Sequence, residues 1–215
     1  MSLAKKTALK EIYPSYAFAS PDTALSGPML RKKLRINVQT PIHIEIGFGS
    51  GEHLLHEAGI YPDRCFLGIE VFPNGVAALL RTIHNIGVNN ICISMNDAAQ
   101  ILRNLPDNTI AAIKLPFPDP WPKKRHRKRR FVCLQNLNEI HRVLIPGGRF
   151  LFVSDNHDYV RCCLECVACH KGFVWEAQSR RDWQLPHPQF HGSRYCDKAL
   201  KMNKVPIILE YRRDT

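Results

Sequence analysis

The stretch Ile42-His43-Ile44-Glu45-Ile46-Gly47-Phe48-Gly49-Ser50-Gly51 decides the fold of this 215-residue chain. Its first five residues have the composition of a strand. Its last five residues place a glycine at every second position, and glycine lets a backbone turn tightly and approach a ligand closely. A helical pattern follows over residues 52–58. The stretch therefore predicts a strand, a glycine-rich turn and a helix, in that order.

Strand-like and helical patterns alternate along the chain after this stretch. Further strands are predicted over residues 65–70, 91–95, 109–115 and 149–154. Helices are predicted over residues 74–86, 98–105, 131–144 and 159–170. Two more strands, residues 173–178 and 205–211, lie on either side of a long polar segment. Five β–α units in succession predict an α/β fold with a mostly parallel sheet and helices on both faces.

Length and composition indicate one globular domain with a short arm. A chain of 215 residues with 45% hydrophobic residues is long enough and apolar enough to bury a core. Prolines and a glycine interrupt residues 1–40, so we expect an irregular basic N-terminal arm there. The single domain would then cover residues 41–215.

The positive charge of the chain is concentrated in one run. The formal net charge is +11, and residues 123–130 contain seven lysines or arginines in eight positions. A local excess of this kind favours a binding surface for a polyanion such as nucleic acid. The alternatives are a solvated face or a nuclear localisation signal. Residues 31–35 add four positive charges, either as a solvated arm or as a second nucleic-acid contact.

No apolar run in the sequence reaches the length of a membrane span. The first twelve residues mix lysines with small side chains and contain no apolar core of a signal peptide. We therefore expect a cytoplasmic protein whose eight cysteines are reduced thiols. The sequence permits a homo-oligomer but does not indicate one.

Three cysteines have spacings that resemble cofactor motifs. Cys162, Cys166 and Cys169 are spaced like an iron–sulfur cluster loop, and Cys166 to His170 is spaced like a haem attachment site. Both interpretations fail on context, because the segment lies in a helical pattern far from the glycine-rich turn and haem attachment requires export. We therefore expect buried thiols on an amphipathic helix and no bound metal.

An acidic side chain lies at or near the end of each of the first five predicted strands. These acids are Glu45, Glu70, Asp97, Asp119 and Asp155. Ligands of a parallel sheet bind outside the carboxyl ends of its strands. Five acids in succession at these ends predict a shared pocket for a cofactor and a substrate.

The chemistry of this pocket indicates a cationic cofactor. A dinucleotide motif would carry its third glycine at position 52, where this chain has a glutamate, and the acids would repel a pyrophosphate. S-adenosylmethionine instead carries a sulfonium, an ammonium and a ribose diol, all of which favour carboxylates. Glu70 is placed to accept both ribose hydroxyls. Asp97 either accepts from the adenine amino group or caps the following helix.

The stretch Phe117-Pro118-Asp119-Pro120-Trp121-Pro122 follows the fourth predicted strand. Its three prolines exclude a helix and restrict the backbone, so they hold Asp119 in a defined place. Such a turn offers a carboxylate to the edge of a nucleobase and an aromatic face for stacking. Trp121 would either stack on the base or pack in the core under the turn.

Five motifs together indicate a family. They are Glu45-Ile-Gly-Phe-Gly-Ser-Gly-Glu52, Gly68-Ile-Glu70-Val71, Asn96-Asp97-Ala98, Phe117-Pro-Asp-Pro-Trp-Pro-Lys-Lys-Arg-His126 and Pro146-Gly147-Gly148. With them the chain resembles the bacterial tRNA (guanine-N7)-methyltransferases over residues 42–212, which is most of its length. The run from Phe117 to His126 is the most specific of the five, since the others occur in many class I methyltransferases.

The resemblance implies a Rossmann-like class I methyltransferase fold, with a mostly parallel seven-stranded sheet whose last strand is antiparallel. It implies that S-adenosylmethionine is the cofactor and that a guanine in the variable loop of tRNA is methylated at N7. That nitrogen carries a lone pair and no proton, so no general base is needed. The enzyme would mainly position the reactants and stabilise their charge.

The resemblance also implies a set of site residues. The cofactor contacts would be Glu45, Gly47, Gly49, Glu70, Asp97 and Asp119, and Asp119 would also be the catalytic residue. The substrate contacts would be Lys123, Asp155, Ser193, Arg194, Tyr195 and Cys196. The family has a glutamate at the position of Cys196, so the chain departs from the pattern there.

Two other functions remain open at this point. A class I methyltransferase for another RNA, or for a substrate that is not a nucleic acid, would share the glycine-rich turn. A substrate without phosphates, however, gives no reason for seven basic residues beside the proline-rich turn. A non-catalytic RNA-binding module explains the charge but leaves the strand-end acids unexplained.

Overall fold

A mixed sheet forms the centre of the protein, whose computed structural model describes residues 1–19 and 23–214. Its strands are β1 (Ile42–Ile46), β2 (Cys65–Ile69), β3 (Ile91–Ser94), β4 (Ile110–Pro116), β5 (Leu144–Ser154), β6 (Phe173–Trp175) and β7 (Ile207–Arg213). They lie side by side in the order β3-β2-β1-β4-β5-β7-β6. Strands β1 to β5 are parallel, whereas β7 runs antiparallel to β5 and β6. The predicted seven-stranded sheet with an antiparallel last strand is confirmed.

Helices cover both faces of this sheet, as predicted. They are α1 (Leu3–Thr7), α2 (Tyr13–Tyr16), α3 (Gly27–Leu34), α4 (Glu52–Ile60), α5 (Pro73–Ile86), α6 (Ala98–Asn104), α7 (Leu134–Val143), α8 (His157–His170) and α9 (Arg194–Lys201). Successive residues of β2 point to opposite faces. Phe66 packs in one apolar cluster with α4 and α5, and Leu67 packs in another with α6, α7 and α8.

The register of the parallel strands brings their carboxyl ends to one edge of the sheet. Ile46 of β1 pairs with Ile69 of β2, which in turn pairs with Ser94 of β3. On the other side of β1, Pro116 of β4 pairs with Val153 of β5. The loops that follow these five strands therefore leave the sheet at neighbouring places, where the sequence predicts the pocket.

Two boundaries differ from the predicted ones between β4 and β5. Helix α7 begins at Leu134 rather than at residue 131, because the backbone of Cys133 is extended (φ −149°, ψ 163°). Strand β5 begins at Leu144, five residues before the predicted start. Leu144 pairs with Ile110 across an irregularity in the register, so the Pro-Gly-Gly segment lies inside the strand rather than before it.

The prediction of an irregular arm over residues 1–40 is wrong for the part that the structure describes, and residues 20–22 lie outside that part. Helices α1, α2 and α3 and a π-helical turn form there. Pro28 lies in the first turn of α3, where proline is tolerated because its missing N–H would have no partner in the helix. Leu30 and Leu34 are buried in the core. The division of the chain at residue 41 stays a prediction.

The cysteines of α8 are less uniformly buried than predicted. Cys163 is buried, Cys162 and Cys166 are half-buried, and Cys169 is exposed, so the prediction of a buried thiol is wrong at Cys169. The helix is amphipathic, and position 169 lies on its outer face. Within the described ranges, no group of three or more potential ligand side chains is arranged to hold a metal ion. No helix in those ranges has the combination of length and apolar character that a membrane span needs.

Candidate active site

The glycine-rich turn after β1 is held against the end of β2. Gly47, Gly49 and Gly51 have φ values of +74°, +60° and +82°, which strain any residue with a side chain. The amide of Gly47 donates to the carbonyl of Ile69 at 2.7 Å. The turn is therefore fixed against the end of β2, and a Cβ atom placed on Gly47 would meet no atom within 4 Å. A ligand can approach the backbone at that glycine.

Glu70 connects this turn to the loop after β2. One carboxylate oxygen, Oε2, accepts from the amide of Gly49 at 2.9 Å, and Oε1 accepts from the amide of Phe72 at 2.8 Å. Each carboxylate oxygen has two lone pairs, so both retain the capacity to accept a ribose hydroxyl. The position of Glu70 is thus compatible with the predicted cofactor contact, and the two amides orient the carboxylate before any ligand binds.

Gly75, which no motif singled out, lies in the first turn of α5 against the carbonyl of Gly49. A Cβ atom on Gly75 would lie 2.2 Å from that carbonyl oxygen, far inside the distance that real Cβ atoms keep. Because the oxygen belongs to the backbone, no side-chain rotation relieves the clash. The absence of a side chain at Gly75 therefore sets how closely α5 approaches the turn.

The substitution Gly75→Ala is expected to raise the KM for S-adenosylmethionine about tenfold or more. The glycine-rich turn would have to move away from α5 to make room for the alanine side chain. Steady-state kinetics with varied cofactor measure this change. Gly59→Ala is the matched control, since a Cβ atom on Gly59 meets nothing within 4 Å. A KM for Gly75→Ala equal to that of the control would contradict the role of this contact.

Glu45 and Asp97, two further predicted cofactor residues, also have partners inside the protein. Glu45 is 3% exposed, and its Oε2 lies 2.7 Å from Nδ1 of His53 on α4. Asp97 caps α6, since its Oδ1 accepts from the amide of Gln100 at 2.9 Å. Of the two alternatives for Asp97, the helix cap is observed, and it leaves the second carboxylate oxygen available. The cofactor contacts of Glu45 and Asp97 stay predictions.

The proline-rich turn after β4 presents a free carboxylate. Phe117 and Trp121 have positive φ values of 50° and 41°, a conformation that is costly for bulky residues and is typical of functional sites. Asp119 lies between them and is exposed. Among the described residues, its carboxylate makes no hydrogen bond and no ion pair. The turn therefore holds Asp119 outward, available to a ligand.

Trp121 is covered by the basic run that follows it. The guanidinium carbon of Arg129 lies 4.8 Å from the centre of the indole, and the ring of His126 lies 5.9 Å away. Trp121 is half-buried. The indole therefore packs against its own neighbours in the sequence rather than in the core, and its stacking on a base stays a prediction.

The segment at the start of α9 meets both turns. Ser193 caps the helix by accepting from the amide of Cys196 at 3.3 Å, and Arg194 is exposed. The ring of Tyr195 stacks on Phe117, with centroids 6.3 Å apart. The same ring would lie 3.1 Å from a Cβ atom on Gly49, so Tyr195 stands between the glycine-rich and proline-rich turns.

Cys196 points away from the place where the glycine-rich and proline-rich turns meet. It is 3% exposed and packs in an apolar cluster with Leu151, Phe190 and Ile208. Burial raises the pKa of its thiol. This placement argues against a contact between Cys196 and the substrate, and it explains how the chain tolerates a small apolar thiol at a position where the resemblance implies a glutamate.

The remaining predicted substrate residues, Lys123 and Asp155, lie beside the proline-rich turn. Lys123 is exposed and begins the basic run. Asp155 directly follows β5, whose Val153 accepts from the amide of Phe117 at 2.8 Å. Its Oδ2 lies 3.5 Å from Nζ of Lys204, a residue that no motif predicted.

A buried ion pair anchors the segment that carries Tyr195. Nζ of Lys114, in the middle of β4, lies 2.5 Å from Oε2 of Glu57 and donates to the carbonyl of Gln189 at 2.9 Å. Nε2 of His191 lies 3.7 Å from the other oxygen of Glu57. Burial raises the pKa of the Glu57 carboxyl, but Lys114, His53 and His191 together outweigh this effect and the pKa is lowered overall. A lysine inside an apolar strand pattern was the signal that sequence reasoning missed.

Together these residues fit a cationic ligand that carries a ribose. The open backbone at Gly47 admits close approach, Glu70 offers acceptors to hydroxyls, and Asp119 offers a free negative charge. Six basic side chains of residues 123–130 are exposed next to this pocket. The arrangement leaves a surface suited to a nucleotide-like ligand next to a surface suited to a polyanion.

Comparisons with known proteins agree with this chemistry. The family described as "Putative methyltransferase" matches residues 39–206. A tRNA (guanine-N(7)-)-methyltransferase of Agrobacterium fabrum is 46% identical over 172 residues, which cover 80% of this chain and 74% of that protein. Another, from a Chelativorans species, is 42% identical over 195 residues, with 91% and 82% covered.

A solved structure shares the fold. An S-adenosylmethionine-dependent O-methyltransferase from Thermotoga maritima superposes with a TM-score of 0.53 at 15% identity. The match covers 100% of this chain and 72% of that chain. At this level of identity the likeness establishes the architecture, which is that of the class I methyltransferases.

Proposed function

We infer that this chain, which belongs to the family of the tRNA (guanine-N7)-methyltransferases, transfers the methyl group of S-adenosylmethionine to N7 of a guanine in tRNA. One observation supports this function above the others. Tyr195 joins the glycine-rich turn to the turn of Asp119, so a cofactor surface and a substrate surface meet at one place. A binding module without catalysis would not need that junction.

When bound, S-adenosylmethionine supplies an electrophilic methyl group on a sulfonium. The chain's own residues hold the reactants in line with each other. Glu70 accepts from the ribose hydroxyls, and the glycine-rich turn carries the cofactor on its backbone. Asp119 orients the guanine and stabilises the positive charge that develops on its ring. No residue has to remove a proton, because N7 of guanine already carries a lone pair.

The tRNA would bind across the proline-rich turn and the start of α9. We propose Lys123, Asp155, Ser193, Arg194 and Tyr195 as the substrate contacts, because Tyr195 stacks on Phe117 of that turn and Asp155 follows the strand that pairs with β4. We also propose that the guanine lies in the variable loop, since a base in a loop is accessible without opening a duplex. A tRNA substrate supports the cytoplasm as the place of action.

Incubation of the purified protein with labelled S-adenosylmethionine and unmodified bulk tRNA tests the function. Digestion to nucleosides is expected to yield labelled 7-methylguanosine. A tRNA transcript whose target guanine is replaced by adenine serves as the control. Label at a different atom would point to another RNA methyltransferase, and binding of tRNA without any transfer would point to a binding module. Either result overturns the proposal.

A further inference from the structure

Arg130 differs from the other basic residues of its run. The six basic side chains from Lys123 to Arg129 are exposed, whereas Arg130 is 5% exposed. A buried guanidinium cannot reach a phosphate on a bound RNA without leaving its site. The expectation that residues 123–130 form one binding surface for a polyanion is therefore wrong for this residue.

The buried guanidinium bridges the proline-rich turn to helix α8. Nε of Arg130 donates to the carbonyl of Pro120 at 2.9 Å. Nη2 donates to Oδ2 of Asp158 at 2.5 Å, and Nη1 donates to the Asp158 carbonyl at 3.4 Å. The guanidinium also lies 4.8 Å from the centre of the Tyr159 ring. Each of the three guanidinium nitrogens thus has an acceptor within the protein.

The acceptor on the turn lies one residue after Asp119. A hydrogen bond to the carbonyl of Pro120 fixes the peptide plane that follows Pro120, and the proline ring fixes φ of the same residue. Trp121, the next residue, has the costly positive φ, which persists only where surrounding contacts hold it. The bridge from Asp158 through Arg130 supplies such a contact from outside the turn.

We propose that Arg130 is a positioning residue that locks the Asp119 turn onto the start of α8, while its exposed neighbours bind the tRNA. This inference rests on the proposed function, because the reaction at guanine N7 is what the turn would serve. It separates the basic run into two parts. Residues 123–129 meet the polyanion, and Arg130 holds the carboxylate where that polyanion presents its base.

A kinetic cycle with Asp119 tests this role. Arg130→Gln is expected to lower kcat about 10- to 100-fold, because a misplaced carboxylate loses most of its effect. The tRNA affinity and its salt dependence should stay unchanged, since no phosphate contact is lost. In an Asp119→Ala background, Arg130→Gln should lower kcat by less than about twofold further, because residues that act as one unit are not additive.

A structural readout accompanies the kinetics. Hydrogen–deuterium exchange in the peptide containing Asp119 is expected to accelerate in Arg130→Gln, while exchange in β1 and β2 stays slow. Asp158→Asn removes the charge that pairs with both Arg130 and Arg127, so it should show the same pattern in a milder form. Arg161→Gln is the matched control, because Arg161 also contacts Asp158, at 3.0 Å, but does not touch the turn.

Two results would overturn the inference. One is a reduced salt slope of tRNA binding in Arg130→Gln, which would make Arg130 a phosphate contact. The other is a further loss of kcat in the Asp119→Ala background as large as the loss that Arg130→Gln causes alone. Such a loss would show that Arg130 acts independently of the Asp119 carboxylate. Failure of the wild-type protein to methylate tRNA would instead refute the proposed function, so the two failures are distinguishable.

Discussion

Asp119→Ala is expected to lower kcat for methyl transfer to tRNA by about 10²- to 10³-fold, the range typical for loss of one preorganised electrostatic group. The carboxylate is exposed at a conformationally strained turn and has no partner among the described residues. Its removal should therefore leave the fold intact. The tRNA affinity should stay within about twofold, because binding depends mainly on the phosphate contacts of the basic run. Single-turnover rates at saturating cofactor and tRNA, together with filter binding, measure both quantities.

Two further variants sharpen this test. Asp119→Asn keeps the shape of the side chain and removes its charge, so a similar loss of rate would identify charge stabilisation as its main effect. Asp107→Asn is the matched control, since Asp107 is an exposed aspartate whose partner, Arg142, lies on α7. Near-normal turnover of Asp119→Ala would remove Asp119 from the active site. A loss of tRNA binding equal to the loss of rate would make it a binding residue only.

The parts of this site that the sequence predicted are those encoded by local patterns. The order of strands and helices follows from the periodicity of apolar residues, and it places Glu70 and Asp119 at the ends of parallel strands. The prolines around Asp119 restrict the backbone whatever the rest of the chain does. These features need no knowledge of tertiary contacts, so they could be predicted and were confirmed as positions in the fold.

The features that escaped prediction depend on residues far apart in the sequence. Arg130 looks like its basic neighbours until it is seen buried between the carbonyl of Pro120 and Asp158 on α8. Gly75 looks like an ordinary residue of a helix until the carbonyl of Gly49 is seen beside it. In the arm, the sequence pattern predicts a break at Pro28, yet its place in the first turn of α3 makes it compatible with the helix.

The buried pair of Lys114 and Glu57 is a further feature that the sequence alone does not reveal. A charge inside a strand pattern suggests either an error in the predicted strand or a partner, and composition alone does not distinguish them. The structure provides the partner on α4 and adds the carbonyl of Gln189 as a second acceptor. The pair thereby connects the central sheet to the segment that ends at Tyr195, a link that spans distant parts of the chain.

Combined replacement of Lys124, Arg125 and Lys128 by glutamine is expected to weaken tRNA binding roughly 100-fold at moderate salt. All three side chains are exposed, and none has an acidic partner among the described residues. Each lost phosphate contact should lower the slope of log affinity against log salt by about 0.7–0.9, so the triple variant should lose about two to three units of slope. Binding titrations with unmodified tRNA at several salt concentrations measure the change.

The same variant separates tRNA binding from catalysis. At saturating tRNA its kcat should stay within about threefold of the wild-type value, because Asp119 and the bridge through Arg130 are untouched. A triple replacement of Arg81, Arg103 and Lys171, which are exposed on other elements, removes the same charge and should leave the slope nearly unchanged. Equal slopes for the two triple variants would show that only the total charge attracts the tRNA. An unchanged affinity and slope in the first variant would place the polyanion on a different surface.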